Sequence, residues 1–361
     1  MIEIISVNEK QQWLDLLSVI DNTDVYFTPG YLKSCGIIMN GAPLLAVFKS
    51  QTGKIVIYPF IKRRINDVKD FASLEEEWFD IVSPYGYSGV LTNGSESELK
   101  SFYQEFHEYC LNNQIVCEFT RFHPILHTQE HANLHPCMLA EHWNDTVYVN
   151  LGRPLADIEK DFKGMNRRNI KKAISNGLVY KIFDLSLDTM TQFNDIYTET
   201  MKRVGSSDFY FFPMDYYKCL LEDLKDNLLI PAICDPDGKP IAMGIFFIYH
   251  QQYIHYHLGG SLNDALSLRP NNLMFAKTIE WGHANGYKLL HLGGGTGRDD
   301  SLFQFKTMFS NDTSPFFTGK AIHNPDKYME LVNMRKELEF DIMDEKYFPQ
   351  YRVSSKSVQV Y

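Results

Sequence analysis

The stretch "KLLHLGGGTGRDDSLFQFKTMF", Lys288 to Phe309, decides how the rest of the chain is read. An apolar strand runs into Gly293, Gly294 and Gly295, and then into a segment with Leu302, Phe305 and Phe309 at helical spacing beside Lys306. Two architectures use a strand, a glycine loop and a helix in this way. In a doubly wound sheet they form the first βα unit and cradle a nucleoside cofactor such as S-adenosylmethionine. That reading needs several further strands, and too little of the 361-residue chain follows Gly297 to supply them. His291 also stands where such sites carry an acid, and no later strand ends in an acid for ribose hydroxyls. The second architecture uses the glycines for a sharp turn late in the fold, after which a helix brings its first amides and side chains to a cleft. The sequence supports that one.

Working outward, "NNLMFAKTIEWGHANG" predicts an amphipathic helix and "QYIHYHLGGS" a strand; "LLIPAICDPDGKPIAMGIFFIY" predicts a hairpin turning at Pro236 to Gly238. The first half has the same order. The hairpin "PLLAVFKSQTGKIVIYPFIKRR" turns at Thr52 and Gly53, then come the strand "WFDIVSPYGYSGVL", the helix "SELKSFYQEFHEYCLNN" and the strand "QIVCEFTRF". Gly53 aligns with Gly238, Gly86 with Gly259 and Asn113 with Asn285, at separations of 172 to 185 residues. A near-constant offset predicts two copies of one α+β unit. Between the copies, "RFHPILHTQEHANLHPCMLAEHWNDTVYVNL" reads as a polar linker feeding a strand near Asp145 to Leu151, and "PLADIEKDFKGMNRRNIKKAISNG" as one long basic helix. The predicted domains are 1–140 and 141–345, with a tail at 346–361 that ends in the loose segment "YRVSSKSVQVY".

Composition narrows the function classes. With 44% hydrophobic residues, 21 Tyr and 25 Phe, the chain can bury two cores of roughly 150 to 200 residues each. A net charge of −10 argues against a broad nucleic-acid surface. The six cysteines show no CxxC spacing and read as reduced thiols. The N-terminus has no basic segment followed by an apolar run, so no signal peptide is predicted. Apolar runs such as "IAMGIFFIY" are too short to span a bilayer, which leaves a cytoplasmic protein with at most peripheral contact at the inner membrane face.

"SLFQFKTMFS" followed by "PFFTGKAIHN" resembles the end of the second acetyltransferase-like domain of the FemAB family of peptidoglycan aminoacyltransferases. Further matches are "DFKGMNRRNIKKAISNGL", "IYTETMKRVGSSDFYFFPMDYY", "GKPIAMGIFFIY" and "NNLMFAKTIEWGHANGYKLLHLGG"; in the first half they are "YPFIKRR", "SPYGYSGV" and "RFHPI". The resemblance implies an α+β fold of two tandem GNAT-like domains, each a mixed central sheet flanked by helices. It implies transfer of an amino acid from aminoacyl-tRNA to an amine of a cell-wall precursor, with no tightly bound cofactor. On this resemblance Phe305 and Lys306 match the family's Phe-Lys pair near the donor's acceptor end. The region of Arg203 and Tyr210 resembles the part that contacts the precursor's diphosphate, and Tyr85 resembles a substrate-cleft tyrosine. The chain departs from staphylococcal members in having no heptad run for a coiled-coil arm.

The residues make their own demands. Acyl transfer to an amine needs a bound activated ester, a deprotonated amine, and a positive or hydrogen-bonding group near the developing oxyanion. No Ser/His/Asp or Cys/His arrangement is legible, so direct attack by the substrate amine is expected, with Lys306 stabilising donor or oxyanion. Asp299, Asp300, His257 or a water could act as base. Tyr256 and His257 are candidate cleft residues on the strand before the glycine loop; His255 and His257 share one face, either lining the cleft or packing in the core. Arg167, Arg168, Lys171 and Lys172 form a positive stripe suited to phosphates of tRNA, a nucleotide-linked precursor or an anionic lipid, or simply a solvated face. His123, His127, His131 and His135 recur every fourth residue, but Pro124 and Pro136 break a helix there, and no metal site is predicted. One alternative is an acyl-coenzyme A dependent N-acyltransferase acting on an amino sugar or exopolysaccharide precursor, although in "LRPNNLMFAK" Asn272 and Met274 replace the glycines of the usual pyrophosphate loop that Arg269 would open. A second alternative is a non-catalytic glycan or precursor-binding protein.

Overall fold

Two hairpins organise the chain, and each turns on a glycine that the backbone requires: Gly53 at φ +79° and Gly238 at φ +88°. The computed structural model describes residues 1–295, 297, 300–338 and 347–353. The backbone forms two units, 1–143 with 316–361, and 144–315.

In the first unit the strands lie in the order Glu3–Ser6, Ala42–Lys49, Ile55–Arg64, Phe79–Val82 and Ile115–Arg121, with residues 318–322 of the strand Thr313–Ile322 at the end. Phe79–Val82 runs parallel to Ile115–Arg121, and the other neighbours are antiparallel. A parallel pair needs a crossover. The helix Glu96–Asn112 supplies it, opened by a capping box between Ser95 and Glu98. Its Phe102 and Phe106 pack with Tyr58, Phe60 and Ile115 in one core cluster, while Tyr328, Leu331 and Val332 of the helix Pro325–Leu338 pack with Val116 and Cys117 in another.

The second unit repeats this plan. Its order runs from residues 147–150 of the strand Met138–Asn150 through Leu289–Gly293, Tyr253–Ser261, Pro240–Tyr249 and Pro231–Cys234 to Val179–Ile182. Tyr253–Ser261 and Leu289–Gly293 are the parallel pair, joined through the helix Pro270–Ala284. That helix and Leu187–Arg203 cover opposite faces: Phe275 meets Tyr256, whereas Gly260 lies against the backbone of Ile196 and Tyr197. The tandem α+β units with mixed sheets are therefore as expected from the sequence.

Four local expectations change. The chain after Pro315 returns to the first unit, because residues 318–322 pair with 117–121, so the boundaries differ from 1–140 and 141–345. The segment read as a polar linker is partly core: His123 is fully buried with Nε2 2.9 Å from Asp24 Oδ2, and His135 is 5% exposed. The long basic helix is two, Leu155–Asp161 and Gly164–Ser175, since Phe162 turns into the core and Lys163 is extended at ψ 147°. In the tail, Tyr351 is fully buried; residues 354–361 lie outside the described residues.

Asp80 anchors that tail. It is fully buried, accepts from Arg63 Nε at 2.8 Å and from the Tyr351 hydroxyl at 3.0 Å, and also accepts from Arg352 Nε. Burial would raise its carboxyl, but Arg352 and Arg63 hold it below the usual carboxylate range. Asp80→Ala leaves two guanidinium groups without their counter-charge and is expected to cost about 3–5 kcal/mol of stability, measured by urea denaturation. A loss of under about 0.5 kcal/mol, as for an ordinary surface change, would contradict this assignment.

Candidate functional site

The strand Leu289–Gly293 ends at Gly293, φ +76°, and the next two residues, Gly294 and Gly295, have no room for side chains. A Cβ on Gly294 would sit 3.1 Å from the Asp145 carbonyl oxygen, and one on Gly295 would sit 2.1 Å from Asp300 Oδ1. The space is used by Asp300, whose carboxylate accepts from the backbone amides of Phe303 at 2.8 Å and Gly297 at 3.0 Å. It thereby caps the short helix Ser301–Lys306.

That helix sets the orientation of Phe305 and Lys306. Phe305 packs edge-on against Phe275 and Phe309, with ring centroids 5.4 Å apart in both pairs. Lys306 is 5% exposed and turns back on the glycine loop, where Nζ donates to the Gly294 carbonyl at 2.6 Å. The same Nζ lies 5.5 Å from the centroid of the Tyr256 ring, which rests on Phe246 and Phe275. Burial pushes the amine from its ordinary 10.5 down to about 7, against the opposing pull of Asp300. A lysine in this state takes up or gives away a proton near neutrality, which an exposed lysine does not.

A second set of contacts holds the helix from behind. Asn166 is fully buried; its side-chain amide donates to the Met308 carbonyl at 3.0 Å and its oxygen accepts from Asn272 at 2.8 Å. Lys163 adds its backbone amide to the same Met308 carbonyl and its Nζ to the Thr307 hydroxyl, both at 3.0 Å. The start of Gly164–Ser175 is thus fastened to the residues directly after Lys306.

Phe305, Lys306 and Tyr256 are brought together, and Asp300 joins them as a helix cap. His257 faces the other way, 2.6 Å from the Tyr216 hydroxyl and against Phe247, and burial pushes it down to about 3. His255 Nδ1 lies 3.3 Å from His291 Nδ1 in the core. Arg203 holds the end of its helix to the Ser261 carbonyl at 3.0 Å and to the Asn263 side chain. Tyr210 sits in a short 3-10 turn beside Phe209, and in the first unit the Tyr85 carbonyl accepts from the Tyr31 hydroxyl. Of the basic stripe, Arg167 folds onto the carbonyls of Phe162 and Lys160, while Arg168, Lys171 and Lys172 are exposed. Arg269, at φ +63°, and Pro270 open the next helix, and Asn272 turns inward to Asn166. Asp299 lies outside the described residues. Asn166 was missed by sequence reasoning, and the roles of Asn272 as its partner and of the Gly294 carbonyl as the acceptor for Lys306 were not read; the asparagine pair joins residues 106 apart, for which a single sequence carries no signal.

Residues 160–306 match the acetyltransferase (GNAT) domain family, a span that ends at Lys306. The fold is that of the crystal structure of FemX, with a TM-score of 0.67 at 10% identity over 91% of this chain and 99% of that one. The C-terminal domain of a protein from Agrobacterium fabrum named as a lysylphosphatidylglycerol synthetase shares it at a TM-score of 0.57 and 14% identity, over 92% and 98% of the two chains. In sequence, 113 residues are 34% identical to aminoacyltransferase FemB of Staphylococcus epidermidis, covering 31% of this chain. That match spans only 22% of the relative's length. The architecture is therefore that of tandem GNAT-type proteins. Within that class the resemblance to the FemAB-like family is borne out, carried by the FemB-like span, the FemX fold and the GNAT domain.

The state of Lys306 is visible in stability. As pH falls from about 10.5 to about 7 the unfolded chain gains a proton that the folded one does not, so this residue's contribution to stability falls over that window and is flat below it. Lys306→Met removes the effect. The melting temperature of the variant relative to the original chain is expected to rise as pH is lowered from 10 toward 7; a difference independent of pH would count against a depressed lysine.

Proposed function

We propose that the chain transfers an aminoacyl or acyl group from an activated ester to an amine, with aminoacyl-tRNA as donor and a cell-wall precursor as acceptor. The observation that carries this reading is the buried Lys306 amine on the Gly294 carbonyl, beside the aromatic surface of Tyr256 and Phe305. In the reaction the acceptor nitrogen attacks the ester carbonyl carbon, the C–N bond forms, the ester C–O bond breaks, and the amine proton ends on the departing hydroxyl. A protonated Lys306 has three N–H donors. One is held by Gly294, which leaves the others for the carbonyl oxygen as it gains charge. A neutral Lys306 could instead take the proton of the incoming ammonium, and its pKa of about 7 suits that exchange.

The exposed Arg168, Lys171 and Lys172 supply positive charge for phosphates of donor or acceptor. The inward turn of Asn272, where a coenzyme A loop would have glycine, supports an aminoacyl ester over acyl-coenzyme A as donor. Among the described residues no helix is long and apolar enough to cross a membrane. Work at the cytoplasmic membrane face as a peripheral protein is the corresponding localisation. A second reading takes an anionic phospholipid as acceptor. It is favoured by Met165 and Ile174, 59% and 52% exposed on the same helix as the basic residues.

The test supplies charged tRNA with either a UDP-linked muropeptide or phosphatidylglycerol vesicles, and acetyl-coenzyme A as the competing donor. Amide formation on the muropeptide is expected, and Lys306→Ala is expected to lower kcat/KM by about 10²–10³. Product only with acetyl-coenzyme A, unchanged turnover in Lys306→Ala, or precursor binding without turnover for any donor would overturn the proposal. Product only on vesicles would select the lipid reading.

A further inference from the structure

The first unit contains a cluster that takes no part in the chemistry proposed above. Glu118, on the strand Ile115–Arg121, is 1% exposed and sits between two buried imidazoles. Its carboxylate oxygens are 3.8 Å from His135 Nε2 and 3.6 Å from His323 Nε2, and neither gap is a hydrogen bond. Glu118 Oε2, His135 Nε2 and His323 Nε2 are accordingly buried without hydrogen-bond partners. Buried polar atoms in that condition call for a reason.

The far sides of the rings supply one. A neutral imidazole that turns its Nε2–H toward a carboxylate presents a bare Nδ1. At His135 this tautomer is supported by the Cys137 backbone amide, which donates to Nδ1 at 3.2 Å. At His323, Nδ1 lies 2.9 Å from His107 Nδ1 and 3.9 Å from Cys137 Sγ, while Cys137 Sγ lies 3.8 Å from His107 Nδ1. A tetrahedral zinc ion places two nitrogen ligands about 3.3 Å apart and a nitrogen and a sulfur about 3.6 Å apart. The three observed distances are within about half an ångström of those values.

We propose that His107, Cys137 and His323 bind a thiophilic divalent cation of the zinc type, with Glu118 behind His323 as the carboxylate that fixes its tautomer. The arrangement is the carboxylate–histidine–metal relay found behind metal-binding imidazoles, and drawing His323 toward its carboxylate would satisfy two of the stranded atoms, His323 Nε2 and Glu118 Oε2. Burial pushes His107 down from its ordinary value, aided by His323, so its ring is a neutral ligand at neutral pH. Glu118 itself would be raised by burial, yet His323, His135 and His107 hold it below the usual range. Burial and Glu118 push the Cys137 thiol up to about 11, so the cation must displace its proton. His107 and Cys137 are only half-buried, which gives the cation a way in, whereas His323 and Glu118 close the inner side. The ligands stand 30, 186 and 216 residues apart in their three pairings, so no sequence motif announces them.

The experiment adds Co²⁺ and Zn²⁺ separately to chelator-treated full-length protein. One Co²⁺ per chain with a thiolate-to-cobalt charge-transfer band is expected, and Zn²⁺ is expected to displace it and raise the melting temperature. Cys137→Ser should abolish the band, and Glu118→Gln should weaken Zn²⁺ binding about 10- to 100-fold. His107→Ala, at a half-exposed helix position, keeps the test valid if the buried variants fold poorly: it should fold, yet lose the Zn²⁺ thermal shift. Absence of a charge-transfer band in the original chain, or a band or shift that survives Cys137→Ser and His107→Ala, would overturn the site and leave an ordinary His107–His323 hydrogen bond.

Discussion

The second unit is built around one constraint: an amine that prefers water is held in a place with almost none. Lys306 reaches Gly294 because the strand before it ends in glycines, because Asp300 occupies the volume that a side chain on Gly295 would need, and because the six-residue helix between is capped and pinned at both ends. Each requirement removes a degree of freedom from the lysine. Burial of an unpaired ammonium costs several kcal/mol, and a protein retains such a group when the surroundings fix it and its altered pKa is used. The Asn166 latch on Met308 is the other half of the same constraint, since a helix this short has little stability of its own.

Duplication explains the frame but not the chemistry. Both units place a hairpin, a strand, a crossover helix and a parallel strand in the same order, and both turn their hairpins on glycines of positive φ. After the parallel strand they diverge. In the second unit the chain enters the glycine loop and the Lys306 helix. In the first it enters Phe122 and His123, and a buried imidazole pairs with Asp24 instead. The first unit has put its buried polar groups into Asp24 with His123, Asp80 with Arg63 and Arg352, and the Glu118 cluster. None of these is repeated at the Lys306 site.

What was legible in the sequence follows local rules. The hairpin turns and the crossover helices are set by spacings of two to four residues, and glycine beside a strand end announces a turn. Of the expected apolar face only Phe305 and Phe309 pack on the core, since the helix ends at Lys306 and Leu302 is 38% exposed. What was not legible depends on partners far away. The basic segment breaks at Phe162 and Lys163 because Phe162 has a core to enter and Lys163 has the Met308 carbonyl to meet, neither visible in its own composition. The fourfold histidine spacing, broken by Pro124 and Pro136, gave no sign that His135, at the end of the 3-10 turn Thr128–Leu134, would meet Glu118, which strand pairing sets beside His323. His257 was placed on the right strand, and of its two readings, cleft or core, the core holds, since successive residues of a strand look in opposite directions and it turns away from Tyr256 and Lys306.

The most direct test of the account is the titration of the Lys306 side chain itself, followed by NMR in protein labelled at lysine and assigned by comparison with Lys306→Arg. A buried amine held on Gly294 is predicted to titrate near about 7, separated from the other lysines. A midpoint near its ordinary 10.5 would mean that water reaches the amine freely, and the site would lose the feature on which its proposed chemistry depends.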